Sequence, residues 1–410
     1  MSSAALRGLK GTFRSLANAN YRIWAGGALV SNIGTWMQRI AQDWLVLTEL
    51  THNNASAVGI VMSLQFVPQL LLLPWSGWAA DRFDRRMFLF FTQGALGLIT
   101  LIQGVLVIAG VAQLWHVYVL AFLFGCAAAL DLPARQAYVS DLVGEADLAN
   151  AVGLNSTSFN AARMIGPAVA GGMVAAAGTG WVFIINAVSF VVVIGVLYML
   201  RRADIRVPKR PARSNGGLKE GFRYIFKRTD LTVLLVMTFL ICTFGLNFPV
   251  FISTMSVKEF HAGAGQYGVS TSIMAVGTLI GALMAASRRQ PAMRHLLVGA
   301  GVFGIGCILA ALAPDYLLFG AALILIGVSA QTFNTSANGL LQLTTAPEVR
   351  GRVLAIYLAV ALGGTPLGAP LVGWVADVLG PRWALGVGAA SGIGAAVTAL
   401  LYFAKVRSKT

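Results

Sequence analysis

Asn32, Thr35, Arg39 and Asp43 recur at intervals of three or four residues inside an otherwise apolar stretch, Tyr21 to Leu47. On a helix those intervals put all four on one face. Lipid does not tolerate such a face, so it must look into a helix bundle or a watery cavity, where Asp43 is a carboxylate able to take up and release a proton. Arg39 and Asp43 stand four residues apart and can neutralise each other. Arg163, at comparable depth in a later apolar stretch, can compete for the same carboxylate. Two uses stay open for Asp43, Asp131, Arg39 and Arg163: coupling of movement to a proton, or an ion pair that fastens one helix to another. Of the 15 acidic residues only Asp43 and Asp131 lie clearly inside apolar stretches, which makes them the candidates for protonation.

Neutral amides form a second set. Gln331, Asn334, Asn338 and Gln342 repeat the helical spacing, Asn247 lies beside Phe244 and Phe248, and Gln65 and Gln69 flank Pro68. With Asn32 and Trp36 they are candidates to line a substrate cavity, because amide strips with aromatics suit a largely apolar ligand fixed by a few polar contacts. Hydrogen bonding between helices is the alternative use. Enzymatic chemistry finds no residues to carry it. His52, His116, His261 and His295 are neither clustered nor mid-stretch, and Cys126, Cys242 and Cys307 sit far apart in apolar runs, without metal-ligand or disulfide spacing. No nucleophile–base pair and no GxxxxGK(S/T) loop occurs, so no metal, no cofactor and no ATP-driven transport by this chain alone is expected. Gly263, Gly265 and Gly268 match GxGxxG by letter but follow no strand, which reads as a turn.

The elements that must position these residues are membrane helices. Hydrophobic residues make up 57% of the 410 and charged residues 11%, against about 45–50% and about 25% in soluble proteins. Mean hydropathy is +0.75. A bilayer crossing takes about 20 apolar residues. Six stretches of that order run Tyr21–Leu47, Ser56–Ala80, Met87–Ala109, Leu114–Pro133, Leu148–Ala176 and Trp181–Leu200; six more run Leu231–Met255, Tyr267–Ala286, His295–Leu312, Tyr316–Leu341, Val353–Val375 and Trp383–Phe403. The chain therefore divides into an N-terminal six-helix half (1–200), a basic cytoplasmic linker (201–230) and a C-terminal six-helix half (231–410). In the linker Leu218, Phe222 and Ile225 share a helical face, the pattern of a helix on an anionic membrane surface or of a solvated connection. No secretory leader is evident at the N-terminus.

Charge sets the orientation. Of the 30 Lys and Arg, 26 fall at the N-terminus, the C-terminus and the connections on that same side; Lys258 and Arg382 alone face the other side, with Arg39 and Arg163 inside spans. Basic loops stay cytoplasmic, so both termini are expected in the cytoplasm of a multi-pass protein of the cell's inner (plasma) membrane. The formal charge of +15 is thereby assigned to the membrane, and no nucleic-acid partner is expected. The halves also repeat: a shift of 202 residues superimposes Gly166 on Gly368, Gly171 on Gly373, Gly178 on Gly380 and Trp181 on Trp383. Repeated six-helix halves mark secondary transporters that bind substrate near the midplane.

The connection after the second span carries Gly77, Asp81, Arg82, Asp84, Arg85 and Arg86. It resembles the GxxxDRxGRR loop of the major facilitator superfamily, with Asp84 where the second glycine usually stands. That resemblance implies a cytoplasmic gate, in which Asp81 sits against the N-terminus of the eleventh helix and Arg85 pairs with an acid low in the fourth, for which Asp131 is the candidate. In the second half Ala285 and Arg289 align with Asp81 and Arg85, so that copy lacks its acid. The runs Gly34–Leu45, Asp131–Gln136, Asn155–Pro167 and Arg350–Val353 resemble the branch that includes the enterobactin exporter and the macrolide efflux proteins. It implies an all-α integral membrane fold with twelve transmembrane helices in two pseudo-symmetric halves, and export of a small amphipathic organic molecule, drug or siderophore-like, in exchange for protons. Gly166–Pro167 with Gly171–Gly172 is similar to the GPxxGG motif of drug/proton antiporters but spaced differently; close helix packing is its other explanation. An uptake or uniport carrier of the same fold, or a non-transporting sensor, remains as a rival. A monomer working with substrate, protons and lipid is the expected assembly.

Overall fold

The computed structural model describes residues 13–200, 218–288 and 290–408, and helices without strands make up their regular structure. They group into two compact units, Met1–Gln42 with Leu71–Ala212, and Asp43–Leu70 with Arg213–Thr410. Residues 43–70 therefore pack with the C-terminal part of the chain.

In the first unit, α1 (Ala19–Trp44) is followed by α3 (Leu73–Arg82), α4 (Arg85–Ile108), α5 (Leu114–Leu142), α6 (Glu145–Ala177) and α7 (Thr179–Met199). Tyr21, Trp24, Tyr138, Leu142 and Leu197 form its core, with the rings of Trp24 and Tyr138 edge to face at 5.2 Å. Small residues let the helices approach: a methyl on Gly166 would meet the Trp36 Cβ and the Ile33 carbonyl of α1. Gly166 thus serves close packing. Side-chain caps start the helices. Asp84 accepts from the Met87 N–H at the head of α4, and His116 accepts from the Gln113 N–H at the head of α5, each satisfying an otherwise orphaned donor.

The second unit holds α2 (Ala55–Leu71), α8 (Leu218–Lys227), α9 (Thr229–Leu240), α10 (Phe248–Thr254), α11 (Ala264–Ala286), α12 (Met293–Leu312), α13 (Tyr316–Thr344), α14 (Pro347–Val378) and α15 (Pro381–Arg407). Leu234, Ile241, Leu296, Phe333 and Ile356 are among its buried core. The linker helix α8 docks on protein: Ile225 is buried in that same core, while Phe222 and Phe226 remain exposed. Residues 201–217 of the predicted linker lie outside the described residues.

Among the described residues nine helical stretches are long and apolar enough to cross a bilayer. The remaining three predicted spans are helical with reasons to differ. α1 and α6 carry Arg39, Asp43 and Arg163. The stretch from Ser56 to Ala80 is two helices, because Pro68 and Pro74 flank the break at Leu72 and proline withholds a helix donor. The fourth span runs past its predicted end, continuing through Pro133 to Leu142. Gly178 and Gly380, paired by the internal repeat, adopt left-handed φ of 88° and 103°, which only glycine reaches without strain. Both are followed three residues on by an exposed tryptophan, Trp181 and Trp383.

In α11 a side chain at Gly277 would overlap the Ile324 carbonyl of α13, whereas Gly265 has open space around it. Gly277→Val is expected to destabilise by about 1–3 kcal/mol, the range for overpacking. Thermal unfolding of the purified chain should show a lower Tm for it and an unchanged Tm for Gly265→Ala.

Candidate functional site

Several clusters among the described residues bring charge into the helices, and four bear on the predicted site or resemble it. In the first unit the loop after α3 delivers Arg85 to Asp141, with Nη1 2.6 Å from the carboxylate. This corrects the expected partner Asp131. The cause is geometric: α5 continues through Pro133, so Asp141 occupies its last turn, level with the start of α4, while Asp131 lies ten residues, about 15 Å, deeper. Of the rest of the motif, Asp84 is the α4 cap and Arg86 donates to the Tyr198 carbonyl at 3.2 Å. Gly77 and Arg82 are exposed. The side chain of Asp81 lies outside the described ones, as does all of Arg289.

Asp131 instead sits at the centre of a buried network. Thr92 Oγ1 and Gln93 Nε2 donate to it at 2.7 and 2.6 Å, and Arg135 Nε approaches to 3.0 Å. Arg135 in turn reaches α1, donating to Asn32 and to Ser31, both at 3.3 Å. The carboxylate joins α5 to α4, and through Arg135 the connection reaches α1. Asn32 is thereby engaged with an arginine of its own unit.

On α1 the guanidinium of Arg39 lies 4.9 Å from the Trp36 ring centroid, and that of Arg163, from α6, lies 5.6 Å from it. Phe159, one turn before Arg163, meets the same ring edge to face at 5.7 Å. The predicted face of α1 therefore divides at its C-terminal end. Asp43 belongs to the second unit, where it is buried and accepts a hydrogen bond from Tyr267 Oη of α11 at 2.9 Å. Trp44 stacks on that tyrosine at 6.3 Å.

A fourth cluster was not expected from sequence. Asp377, in the last turn of α14, accepts from the backbone N–H groups of Ala55 and Ser56 at 2.8 Å each and from Ser56 Oγ at 2.6 Å. It caps the N-terminus of α2, where unpaired donors and the helix dipole favour an anion. Lys258 Nζ adds an ion pair at 2.8 Å. Ser63, two turns into α2, donates to the Pro366 carbonyl of α14 at 2.8 Å, and a methyl at Gly59 would collide with the Ala369 backbone. Lys258 was visible as one of two basic residues set apart from the 26 expected in the cytoplasm; Asp377 fell two residues beyond the predicted end of its span.

The amide set is partly consumed locally. Gln331 donates to Thr335 at 3.0 Å, Gln342 to Asn338, and Gln69 to the Gln65 carbonyl at 3.4 Å. Asn334 is half-buried. Asn247 sits fully buried at the break between α9 and α10, donating to the Thr243 carbonyl at 2.8 Å, with its own Oδ1 lacking a partner among the described residues. Phe244 and Phe248 pack edge-on against Phe239 and Phe303. No group of three or more His, Cys, Asp or Glu able to hold a metal occurs among the described residues.

Residues 10–409 match the family described as transmembrane secretion effector. The staphyloferrin A transporter of Staphylococcus aureus is 27% identical over 85% of this chain and 87% of its own length. Macrolide efflux protein A of Streptococcus pyogenes is 26% identical over 88% and 90%, and the multidrug efflux pump Tap of Mycobacterium tuberculosis 26% over 86% of each. Among solved structures, a bacterial homolog of the human lysosomal transporter Spinster, in an inward-facing and occupied conformation, superimposes with a TM-score of 0.73 at 14% identity, covering 95% of this chain and 96% of that one. A nucleoside transporter gives 0.71 at 14%, over 94% and 99%.

Asp377→Asn keeps the size of the cap but removes its charge from Lys258 and from two backbone donors. Losing hydrogen bonds to a charged acceptor costs about 1.5–3 kcal/mol. Amide hydrogen exchange at Ala55 and Ser56 should accelerate about tenfold or more in that variant, since 1.4 kcal/mol is a factor of ten. Unchanged exchange would remove Asp377 from the anchoring of α2.

Proposed function

The chain belongs to the transmembrane secretion effector family of the major facilitator superfamily, and from that premise we propose that it is a secondary active exporter. It moves a small amphipathic organic molecule out of the cell in exchange for protons, by alternating access of two six-helix halves, with twelve crossings and both termini in the cytoplasm of the inner (plasma) membrane. It works as a monomer.

The observation that carries the coupling is Asp43: a buried carboxylate within an apolar helix, bonded to the phenol of Tyr267 on another helix. Gain of a proton by Asp43 removes the charge that strengthens that bond and adds an O–H donor beside it, so protonation and the α1–α11 contact are linked. Asp131 has Arg135, Thr92 and Gln93 around it and serves to hold α4, α5 and α1 together. Export is supported by the relatives named for macrolide and multidrug efflux. The cap of α2 by Asp377 fits a clasp on the outer side, and the Asp81–Arg85 loop fits one on the inner side. Each would close one end of the path while the other opens.

Two experiments test this reading. In proteoliposomes with an imposed pH gradient, Asp43→Asn should abolish gradient-driven movement of an exported compound and leave its binding detectable, whereas Asp131→Asn should lower the Tm first. The compound comes from screening a deletion strain for sensitivity and intracellular accumulation across a chemically varied panel. Gradient dependence that survives in Asp43→Asn and in the double variant would sink the assignment. For topology, cysteines at Asn53 and Ala262 should react with an impermeant thiol reagent outside intact cells, and one at Ser214 should not; labelling of Ser214 from outside would overturn the orientation.

A further inference from the structure

Arg163 lies in the middle of the 33-residue α6, at a depth where a cation is costly unless something answers its charge. Among the described residues no carboxylate or other acceptor answers it; its contact is the Trp36 ring, which it shares with Arg39. The interior acids of the unit are engaged elsewhere. Asp131 is held by Arg135, Thr92 and Gln93, and Asp141 by Arg85. Asp43, one turn beyond Arg39, accepts from Tyr267. A cation over an indole gains about 0.5–2 kcal/mol, less than the several kcal/mol that removal of an ion from water costs. Whatever holds Arg39, Arg163 brings a positive charge into the membrane that the described chain leaves to be neutralised from outside. Phe159 beside it is 46% exposed, so the guanidinium stands next to an uncovered aromatic surface. A guanidinium at this depth does not face hydrocarbon.

The geometry points to an anion subsite: Arg163, seconded by Arg39 over Trp36, receives a carboxylate or similar anionic oxygen group of the exported molecule, while Trp36 and Phe159 receive its apolar body. The substrate class is therefore an anionic amphipath. The guanidinium fork suits a carboxylate through two parallel N–H donors, and ring faces beside it favour a flat apolar portion. This rests on the reading of the chain as an exporter of amphipathic molecules and narrows it by charge.

The test uses the purified full chain in phosphatidylcholine nanodiscs, with equilibrium binding measured against empty nanodiscs. Three probes share one apolar body and differ in charge: 1-pyrenebutyrate, 1-pyrenebutanol and 1-pyrenebutylamine. The wild-type chain should bind the butyrate about tenfold or more tighter than the alcohol, the gain expected of a charge-assisted hydrogen bond, and the amine weakest. In Arg163→Gln the preference should vanish with affinity for the alcohol nearly unchanged, and Arg163→Lys should keep part of it. If Arg163→Gln does not fold, Phe159→Glu, which offers Arg163 an internal carboxylate one turn away, should erase the preference in the same way. Equal binding of the three probes by the wild-type chain, or a preference untouched in Arg163→Gln, overturns the assignment. Added phosphatidylglycerol should leave the preference in place; its disappearance would give Arg163 to a lipid headgroup and overturn the proposal. Binding here needs no gradient, so a chain that prefers the anion but moves nothing would refute the exporter reading alone. A chain that transports but ignores probe charge would refute this one alone.

Discussion

Charge placed in hydrocarbon must be answered inside the protein, and much of this molecule's arrangement follows from that demand. Asp131 shows the demand met in full: one carboxylate gathers a hydroxyl, an amide and a guanidinium, and the guanidinium carries the connection on to α1. The result is a joint among three helices that no apolar contact could orient as specifically. Asp141 and Arg85 repeat the solution at the ends of α5 and α4, with the arginine side chain only 20% exposed. Where the demand is left unmet among the described residues, at Arg163, function is the natural explanation.

A second demand comes from the backbone. Every peptide group in a bilayer needs a partner within the protein, yet α2 and α3 part at Leu72 and α9 gives way to a wide turn, Ile241–Gly245, before α10. These interruptions fall where prolines withdraw donors or glycines admit neighbouring backbone, as at Gly364, whose missing side chain makes room for Thr243. Asn247 at the second interruption keeps an amide oxygen without a partner among the described residues. Irregular helices in transporters cluster at such places, because a broken helix exposes polar groups that a continuous one hides.

The all-helical membrane architecture was legible in sequence because hydropathy is a one-dimensional signal. The turn at Gly178 and its repeat at Gly380 were legible too, since glycine there answers a backbone requirement. Partnership among polar side chains was not. Asp131 was assigned to Arg85 because Pro133 reads as a helix end, and only the continuation of α5 to Leu142 shows which acid is level with the arginine. Asp84 looked like a departure from a glycine pattern; as the cap of α4 it performs a definite local task. Asp377 gave little signal, since two of its four donors are main-chain groups 321 and 322 residues away, and main-chain donors leave no trace in residue type.

The capping of α2 by Asp377 also bears on how this chain can be recombined. Residues 43–70 are encoded in the first half yet pack with the second, so the seam between compact bodies does not coincide with the seam in the polypeptide. A chimaera joined at the linker would present a borrowed α14 to a native α2, and its success would hinge on a carboxylate at one helix end finding two free amides at another. Asp377 and the start of α2 are a matched pair, so an exchange of either half carries one without the other.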